Sequence, residues 1–178
     1  MKATGIVRRI DDLGRVVIPK EIRRTMRIRE GDPLEIYTGS GGEVVFKKYS
    51  PVGELSEVSG EMAESVAAAT RLGVAVSDRD NIISSVGMRK NDLVDRPLSA
   101  ALSSLLESRQ SFVASGGESI PLFDGSDVFV LAAYPIIASG DLCGGVLLIP
   151  SKDKEQAAES DLTAAGMAAD FLGRQLED

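Results

Sequence analysis

The chain has 178 residues, 43% of them hydrophobic, with one cysteine and no histidine. This length suits one or two globular domains, and the absence of histidine excludes Ser-His-Asp and Cys-His catalytic sites and histidine metal ligands. The lone Cys143 excludes an intrachain disulfide and favours a reducing, cytoplasmic location. The longest apolar runs, such as Val128 to Tyr134, fall far short of the roughly 20 residues of a membrane span, so we expect no membrane partner and no signal peptide.

Charge is distributed unevenly along the chain. Residues 1–50 hold four Lys and seven Arg against seven Asp plus Glu, a net charge of +4, whereas the remaining residues carry −11. Such asymmetry is typical of a nucleic-acid-binding module joined to a part that does not touch nucleic acid.

The basic segment predicts five short elements. Thr4 to Ile10 and Arg15 to Ile18 are rich in Val and Ile and predict two strands around the turn residues of Asp11 to Gly14. Pro19 is suited to the first position of a helix, which Glu21 to Arg27 would continue. Leu34 to Thr38 and Val44 to Tyr49 then predict a second hairpin. Fifty residues with so few large apolar side chains cannot bury a sufficient core alone, so we expect an intertwined dimer.

A short linker, residues 51–55, precedes a segment of different character. In this segment an apolar stripe at helical spacing predicts a helix that begins at about Val58 and ends at Gly73. A hairpin of Gly73 to Ser77 and Ile82 to Val86 is expected to follow. Pro97 would open another helix. The later strands are expected at Val113, Val128 to Ala133, Ile136-Ile137 and Val146 to Ile149.

Asp161 to Leu176 predicts a closing helix. Leu162, Ala165, Ala169, Leu172 and Leu176 form an apolar stripe among small residues that permit close helix approach. We therefore expect this stripe to pack on another helix, with a second subunit as one source of that helix.

The segments Thr4 to Arg24 and Gly31 to Tyr37 closely resemble AbrB-type transition-state regulators in the order and spacing of their residues. The resemblance implies a swapped-hairpin dimer with a basic surface that binds double-stranded DNA. The DNA-contacting arginines of that family correspond to Arg8, Arg15, Arg23 and Arg24, and Arg9 occupies a position that is generally basic. The alternative for these side chains is a solvated surface with ion pairs to acidic neighbours: Asp11, Asp12 and Glu21.

Residues 56–178 resemble a GAF domain in their element order. The expected fold class is α+β, with a β-rich swapped-hairpin domain at residues 1–50 and a GAF-like α/β domain with an antiparallel sheet. The combination resembles sporulation regulators of endospore-forming bacteria. It implies a homo-oligomer, dimeric through the N-terminal domain and tetrameric through the C-terminal helices, and a GAF-like domain open to a small-molecule effector.

Other candidate sites in this second part are weaker. Cys143 is expected to be a buried structural thiol, because no histidine or adjacent base can activate it. Four loop carboxylates could be considered for a divalent cation, but solvation is the simpler account, so no metal or other cofactor is expected: Asp78, Asp80, Asp92 and Asp95. Four aromatic residues could wall a ligand pocket or equally pack in the core: Phe112, Phe123, Phe129 and Tyr134.

The sequence therefore predicts a cytoplasmic transcription regulator that is not an enzyme. Two other classes stay open. An antitoxin would share the hairpin fold, although Ser56 to Asp178 has the pattern of a folded domain rather than a disordered tail. A GAF-type enzyme is the second alternative, and the absence of histidine argues against it.

Overall fold

The computed structural model describes residues 5–87, 93–115, 117 and 119–177. The chain forms two compact units, which we call unit 1, Met1–Tyr49, and unit 2, Ser50–Asp178. Both contain helices together with antiparallel strands, so the fold is of the predicted α+β class.

Unit 1 contains one short helix and one regular hairpin. Helix α1 is Lys20–Thr25, and strands β1, Leu34–Thr38, and β2, Val44–Lys48, pair antiparallel. The prediction of α1 was wrong by two residues at its C-terminal end, because Arg27 adopts a left-handed conformation (φ 52°) that cannot continue a helix. Pro19 precedes the helix as its N-cap residue.

The first predicted hairpin is only partly formed in the single chain. Residues 5–10 and 15–18 belong to no strand, and Thr4 lies outside the described residues. The predicted turn between them is present, closed by bonds from Asp11 N to Arg15 O (3.1 Å) and from Gly14 N to Asp11 O (3.0 Å). The prediction of two strands is wrong for the isolated chain, because a strand requires a ladder of backbone hydrogen bonds to a neighbouring strand.

The apolar residues of unit 1 are largely solvent-exposed. Neither hydrophobic core of the protein includes a described residue before Val52. Val7 is 86% exposed, Val17 71% and Ile36 64%. The further exposed members of this apolar set are Ile6, Ile10, Leu13, Val16, Met26, Tyr37, Val44, Val45 and Phe46. Unit 1 therefore lacks a core of its own in the single chain.

Unit 2 is built around a five-stranded antiparallel sheet of order β4-β3-β9-β8-β5. The strands are β3, Gly73–Asp78, β4, Ile82–Val86, β5, Phe112–Val113, β8, Ala132–Ala138, and β9, Asp141–Ile149. A separate ribbon pairs β6, Ile120–Pro121, with β7, Phe129–Val130. The helices are α2, Pro51–Glu54, α3, Ser56–Thr70, α4, Ala100–Glu107, and α5, Glu159–Gln175.

The sheet separates two hydrophobic cores. Alternate residues of a strand point to opposite faces, so Val74 and Val76 join the core under α3 and α5, while Ala75 joins the core under α4. The same alternation holds in β9, where Leu148 faces α3 and α5 and Leu147 faces α4. Both faces of the sheet are thus covered.

Three predicted features of unit 2 differ in the structure. The segment expected to be a linker forms α2, and its Val52 is completely buried in the core. Helix α4 begins after Ser99, whose Oγ accepts a bond from Leu102 N (3.1 Å), rather than at Pro97. Strand β8 continues through Pro135. Strand β5 pairs only with the first two residues of β8, so the missing N–H of Pro135 costs no hydrogen bond to β5.

The apolar stripe of α5 faces its own unit. Ala165, Ala169 and Leu172 are buried in the core beneath α3 and α5, and Leu162 and Leu176 pack at its margin. The stripe packs on another helix, as expected, but that helix is α3 of the same unit, and β8 covers the rest of the stripe. The side chains left outside on α5 include Met167, 68% exposed, and Phe171, 41% exposed.

Candidate nucleic-acid interface

The arginines expected to contact DNA all lie in unit 1 and are all solvent-exposed. Arg8 and Arg9 lie on the segment before the Asp11–Gly14 turn, and Arg15 follows the turn directly. Arg23 and Arg24 occupy the last turn of α1. The structure thus presents two groups of guanidinium side chains, one at the turn and one on the helix. Guanidinium groups suit this role because they donate paired hydrogen bonds to phosphates and to guanine edges.

The turn next to Arg15 is organised by the Asp11 carboxylate. Its Oδ1 accepts bonds from Leu13 N (3.0 Å) and Arg15 N (2.8 Å), and its Oδ2 accepts a bond from Arg15 Nε (2.8 Å). The bond from the Arg15 backbone, followed by the one from its side chain, holds the pKa of Asp11 below its usual value. From the sequence, Asp11 was expected only to be a turn residue and a possible ion-pair partner of the arginines. The sequence signal for this bond was the spacing of the two opposite charges, because Asp11 and Arg15 stand four residues apart at the two ends of the turn.

Helix α1 is held by backbone bonds at both ends. Arg23 N donates to Pro19 O (2.9 Å), and after the helix Ile28 N donates to Arg23 O (2.8 Å). Six residues make a marginal helix in isolation, so the following loop is needed to fix Arg23 and Arg24.

A buried carboxylate secures that loop. Asp32, with a side chain only 3% exposed, accepts a bond from Arg29 N (2.8 Å), and Lys48 Nζ lies 3.3 Å from its Oδ2. Lys48 also donates to Arg27 O (2.9 Å), which ties the end of β2 to the loop after α1. The local sequence does not indicate this role, because Lys48 approaches Asp32 only in the folded unit.

The four aromatic residues that could have walled a ligand pocket do not lie together. Phe112 and Phe123 pack in the core beneath α4, and the Arg96 guanidinium lies 4.0 Å from the Phe123 ring centre. Tyr134 packs against the other core, beneath α3 and α5, and Phe129 is 42% exposed. A separate depression of about 420 Å³ is lined in part by Val113, Ser115, Leu131 and Gln156.

Cys143 is buried and carries a weakly acidic thiol. It is 8% exposed, and its Sγ donates to Asp141 O at 3.6 Å. Burial, the largest influence, raises the pKa of the Cys143 thiol above its usual value, which disfavours the reactive thiolate. This environment suits the structural role expected from the sequence.

In unit 2, the Asp78 carboxylate that was considered as a cation ligand accepts hydrogen bonds from the backbone. Asp78 Oδ1 accepts Asp80 N (2.8 Å) and Asn81 N (2.7 Å), which closes the β3–β4 turn. Asp95 has a left-handed φ of 67°, and Asp92 lies outside the described residues. Within residues 5–87, 93–115, 117 and 119–177, no three Cys, Asp or Glu side chains converge as metal ligands. Among the helices in these described ranges, none combines the length and the hydrophobicity that a membrane span requires.

Comparison with known proteins assigns both units. Residues 54–177 match the family described as Stage V sporulation protein T C-terminal, transcription factor. Over 179 aligned residues the chain is 46% identical to stage V sporulation protein T of Bacillus subtilis (strain 168), covering 99% of each protein. The chain belongs to the family of stage V sporulation protein T. Its members are described as transcription factors, so this chain is a transcription factor.

The N-terminal unit is similar to a second group of proteins. Residues 7–53 match the family Antidote-toxin recognition MazE, bacterial antitoxin. Over 64 residues the chain is 52% identical to the transition state regulatory protein AbrB of Bacillus subtilis (strain 168). The aligned region covers 36% of this chain and 65% of AbrB. The AbrB-type resemblance of the first fifty residues is confirmed.

Unit 2 has the GAF fold. It is similar to the GAF domain/HD domain protein from Geobacter sulfurreducens, with a TM-score of 0.53 and 19% identity over 68% of this chain and 91% of that one. A type II free methionine-R-sulfoxide reductase from Thermoplasma acidophilum gives a TM-score of 0.51 and 12% identity, over 70% and 94% of the two chains. Identities this low establish the fold alone, and the GAF-like prediction is confirmed at that level.

Proposed function

We propose that this transcription factor regulates sporulation genes by binding promoter DNA through unit 1. The observation that carries the proposal is the set of exposed arginines displayed by the Asp11–Gly14 turn and by α1: Arg8, Arg9, Arg15, Arg23 and Arg24. The similarity of this unit to AbrB, and the net charge of +4 on residues 1–50, support it. A positive surface steers a protein towards the phosphate backbone, and arginine supplies both phosphate and base contacts.

Unit 1 acts as a dimer in this proposal. Its segments on either side of the Asp11–Gly14 turn belong to no strand, and its apolar residues, such as Val7 and Val17, are exposed. A second copy could pair with these segments as strands and cover those side chains. The swapped hairpin implied by the AbrB resemblance is such an arrangement.

A salt titration of DNA binding tests the role of the arginines. The logarithm of affinity should fall linearly with the logarithm of salt concentration, with a slope of about −0.9 per phosphate contacted. Arg8→Ala or Arg15→Ala removes two side chains from a dimer. The slope should therefore become shallower by about two if they contact phosphate. Loss of a guanine contact would instead reduce discrimination by roughly 1–3 kcal/mol per contact.

The control is Arg109→Ala, because Arg109 is exposed in unit 2 beside Asp141 and carries the same charge. It should change neither slope nor discrimination. Equal effects of Arg109→Ala and the unit 1 variants would mean that the arginines form only a solvated charged surface.

Unit 2 is proposed to assemble dimers into tetramers and to respond to a small-molecule effector without converting it. Because the inner face of α5 is buried in its own unit, the outer face with Met167 and Phe171 is the part of this helix that is available for assembly. An effector would shift DNA affinity only by its differential affinity for the binding and non-binding states. Recovery of a chemically altered ligand would indicate an enzyme instead. A DNA-binding regulator with this role acts in the cytoplasm.

An antitoxin function is the second candidate, because residues 7–53 match the MazE antitoxin family. Unit 2 argues against it, since residues that would form a toxin-wrapping tail are folded around a five-stranded sheet. Stoichiometric co-purification of a toxin with the full chain would favour the antitoxin function.

A further inference from the structure

The bond between Asp11 and Arg15 joins a carboxylate to a side chain that we assign to DNA contact. Asp11 accepts Arg15 Nε at 2.8 Å while its other oxygen caps the turn through two backbone N–H groups. The side chains are 37% and 69% exposed, respectively. Exposed ion pairs contribute little to stability, so the energy of the pair itself does not explain the arrangement.

The geometry leaves the outer end of Arg15 available. A guanidinium has five N–H donors, and the bond to Asp11 uses the one on Nε. Because the two terminal nitrogens carry the other four, Arg15 can still donate a parallel pair of bonds to the O6 and N7 acceptors of guanine. Fixing Nε restricts the many rotamers of a long side chain before DNA arrives, which lowers the entropy cost of forming that contact.

A carboxylate at this place also has an electrostatic disadvantage. It repels every phosphate equally, so it weakens binding to any DNA sequence. An orienting role would instead favour only those sequences that place a guanine edge before Arg15. The repulsion lowers the affinity for DNA of every sequence, whereas the orienting role changes the ratio of affinities between different sequences.

We propose that Asp11 is a positioning residue that holds the Arg15 guanidinium for base contact and so raises selectivity for the operator over other DNA. The proposal rests on the proposed DNA contact of Arg15. It predicts that removing the negative charge of Asp11 raises the affinity for DNA of any sequence but lowers the ratio of affinities between the operator and other DNA.

Asp11→Asn separates the two roles of the carboxylate. The amide oxygen of Asn still accepts the N–H groups of Leu13 and Arg15 and maintains the turn, whereas its NH₂ group cannot accept a bond from Arg15 Nε. Asp12→Asn is the matched control, since Asp12 lies in the same turn, carries the same charge and takes no part in the three bonds of Asp11. Asp11→Ser, whose hydroxyl can also cap the turn, is the second variant if Asn impairs folding.

The experiment measures the affinity of the full chain for two duplexes at one salt concentration. One duplex is enriched by the wild-type protein from a random pool, and the other is its shuffled sequence. Asp12→Asn should strengthen binding to both duplexes and leave their ratio unchanged. Asp11→Asn should also strengthen binding to the shuffled duplex, but reduce the ratio about tenfold for each impaired bidentate base contact, and so about a hundredfold for the two contacts of a dimer. In an Arg15→Ala background, Asp11→Asn should reduce the ratio no further.

The result separates this proposal from the one on which it rests. If Arg15→Ala lowers the ratio and Asp11→Asn behaves like Asp12→Asn, Arg15 contacts DNA without help from Asp11, and the positioning role is overturned. If Arg15→Ala changes neither affinity nor ratio, the DNA contact of Arg15 is refuted, and the role of Asp11 with it. A further loss caused by Asp11→Asn in the Arg15→Ala background would show that Asp11 acts through the turn, which also overturns the proposal.

Discussion

Lys154 joins the end of α3 to the beginning of α5, and its removal should weaken unit 2 in a characteristic way. Its ammonium donates to Thr70 O (3.1 Å) and bonds the Asp161 carboxylate, which also accepts Ala158 N (2.7 Å). Lys154 is 31% exposed, but Asp161 only 5%. Lys154→Met therefore leaves a buried, unbalanced carboxylate, and we expect the free energy of unfolding to fall by about 3 kcal/mol. Asp161→Asn should cost less, because the remaining ammonium can be rehydrated.

The dependence on pH provides a stricter test. Burial opposes the charge on Asp161, but the bond from Lys154, the Ala158 N–H and the Lys154 charge outweigh it and hold the pKa of Asp161 below its usual value of 3.8. The wild-type contribution is therefore present at neutral pH and is lost as the pH falls below about 3.8. In Lys154→Met burial dominates and raises the pKa of Asp161. The variant should then gain stability as the pH falls from that raised pKa towards 3.8, opposite in sign to wild type.

Urea unfolding followed by far-ultraviolet circular dichroism measures this effect. Helices α3 and α5 contain 15 and 17 residues against six in α1, so the helical signal reports mainly on unit 2. Lys152→Met, an exposed change in the same loop, controls for the loss of a positive charge. Equal losses for Lys154→Met and Lys152→Met, or a Lys154→Met variant that follows the wild-type pH dependence, would refute the reasoning.

Three further predictions concern packing and assembly. Residues 1–50 should sediment as a dimer because they bury too little apolar surface alone; a folded monomer at low concentration would exclude the swapped hairpin. Gly173→Ala should lower the melting temperature markedly, because its Cβ would lie 2.3 Å from Ile137 O, whereas Gly166→Ala, with 3.4 Å to the nearest atom, should be tolerated. Phe171→Glu should reduce the mass of the assembly in light scattering, since it places a charge on the outer face of α5; unchanged mass would show that this face is free.

Local sequence signals predicted the elements whose stability is local. The turn residues of Asp11 to Gly14 and the β3–β4 hairpin were found because turn chemistry and alternation are properties of consecutive residues. The extent of β8 was not found, because Pro135 is tolerated only where β5 has already ended. That condition depends on a neighbouring strand, which the local sequence does not specify.

The candidate DNA-binding side chains show the same division. Resemblance placed the arginines, and unit 1 exposes all of them, but the control of Arg15 by Asp11 requires the folded turn to bring Nε to the carboxylate. Similarly, periodicity found an apolar stripe on α5 but not which element covers it. The structure shows that Ala169 and Leu172 face the core of their own unit.

The packing of α5 separates two properties that could evolve independently. Gly173 permits contact with the β8 backbone, so the inner face of the helix is under a steric constraint that few substitutions satisfy. Met167 and Phe171 on the outer face meet no such constraint from their own unit. If the proposed assembly uses this outer face, surface substitution alone can change the number of subunits among related chains without altering the domain architecture.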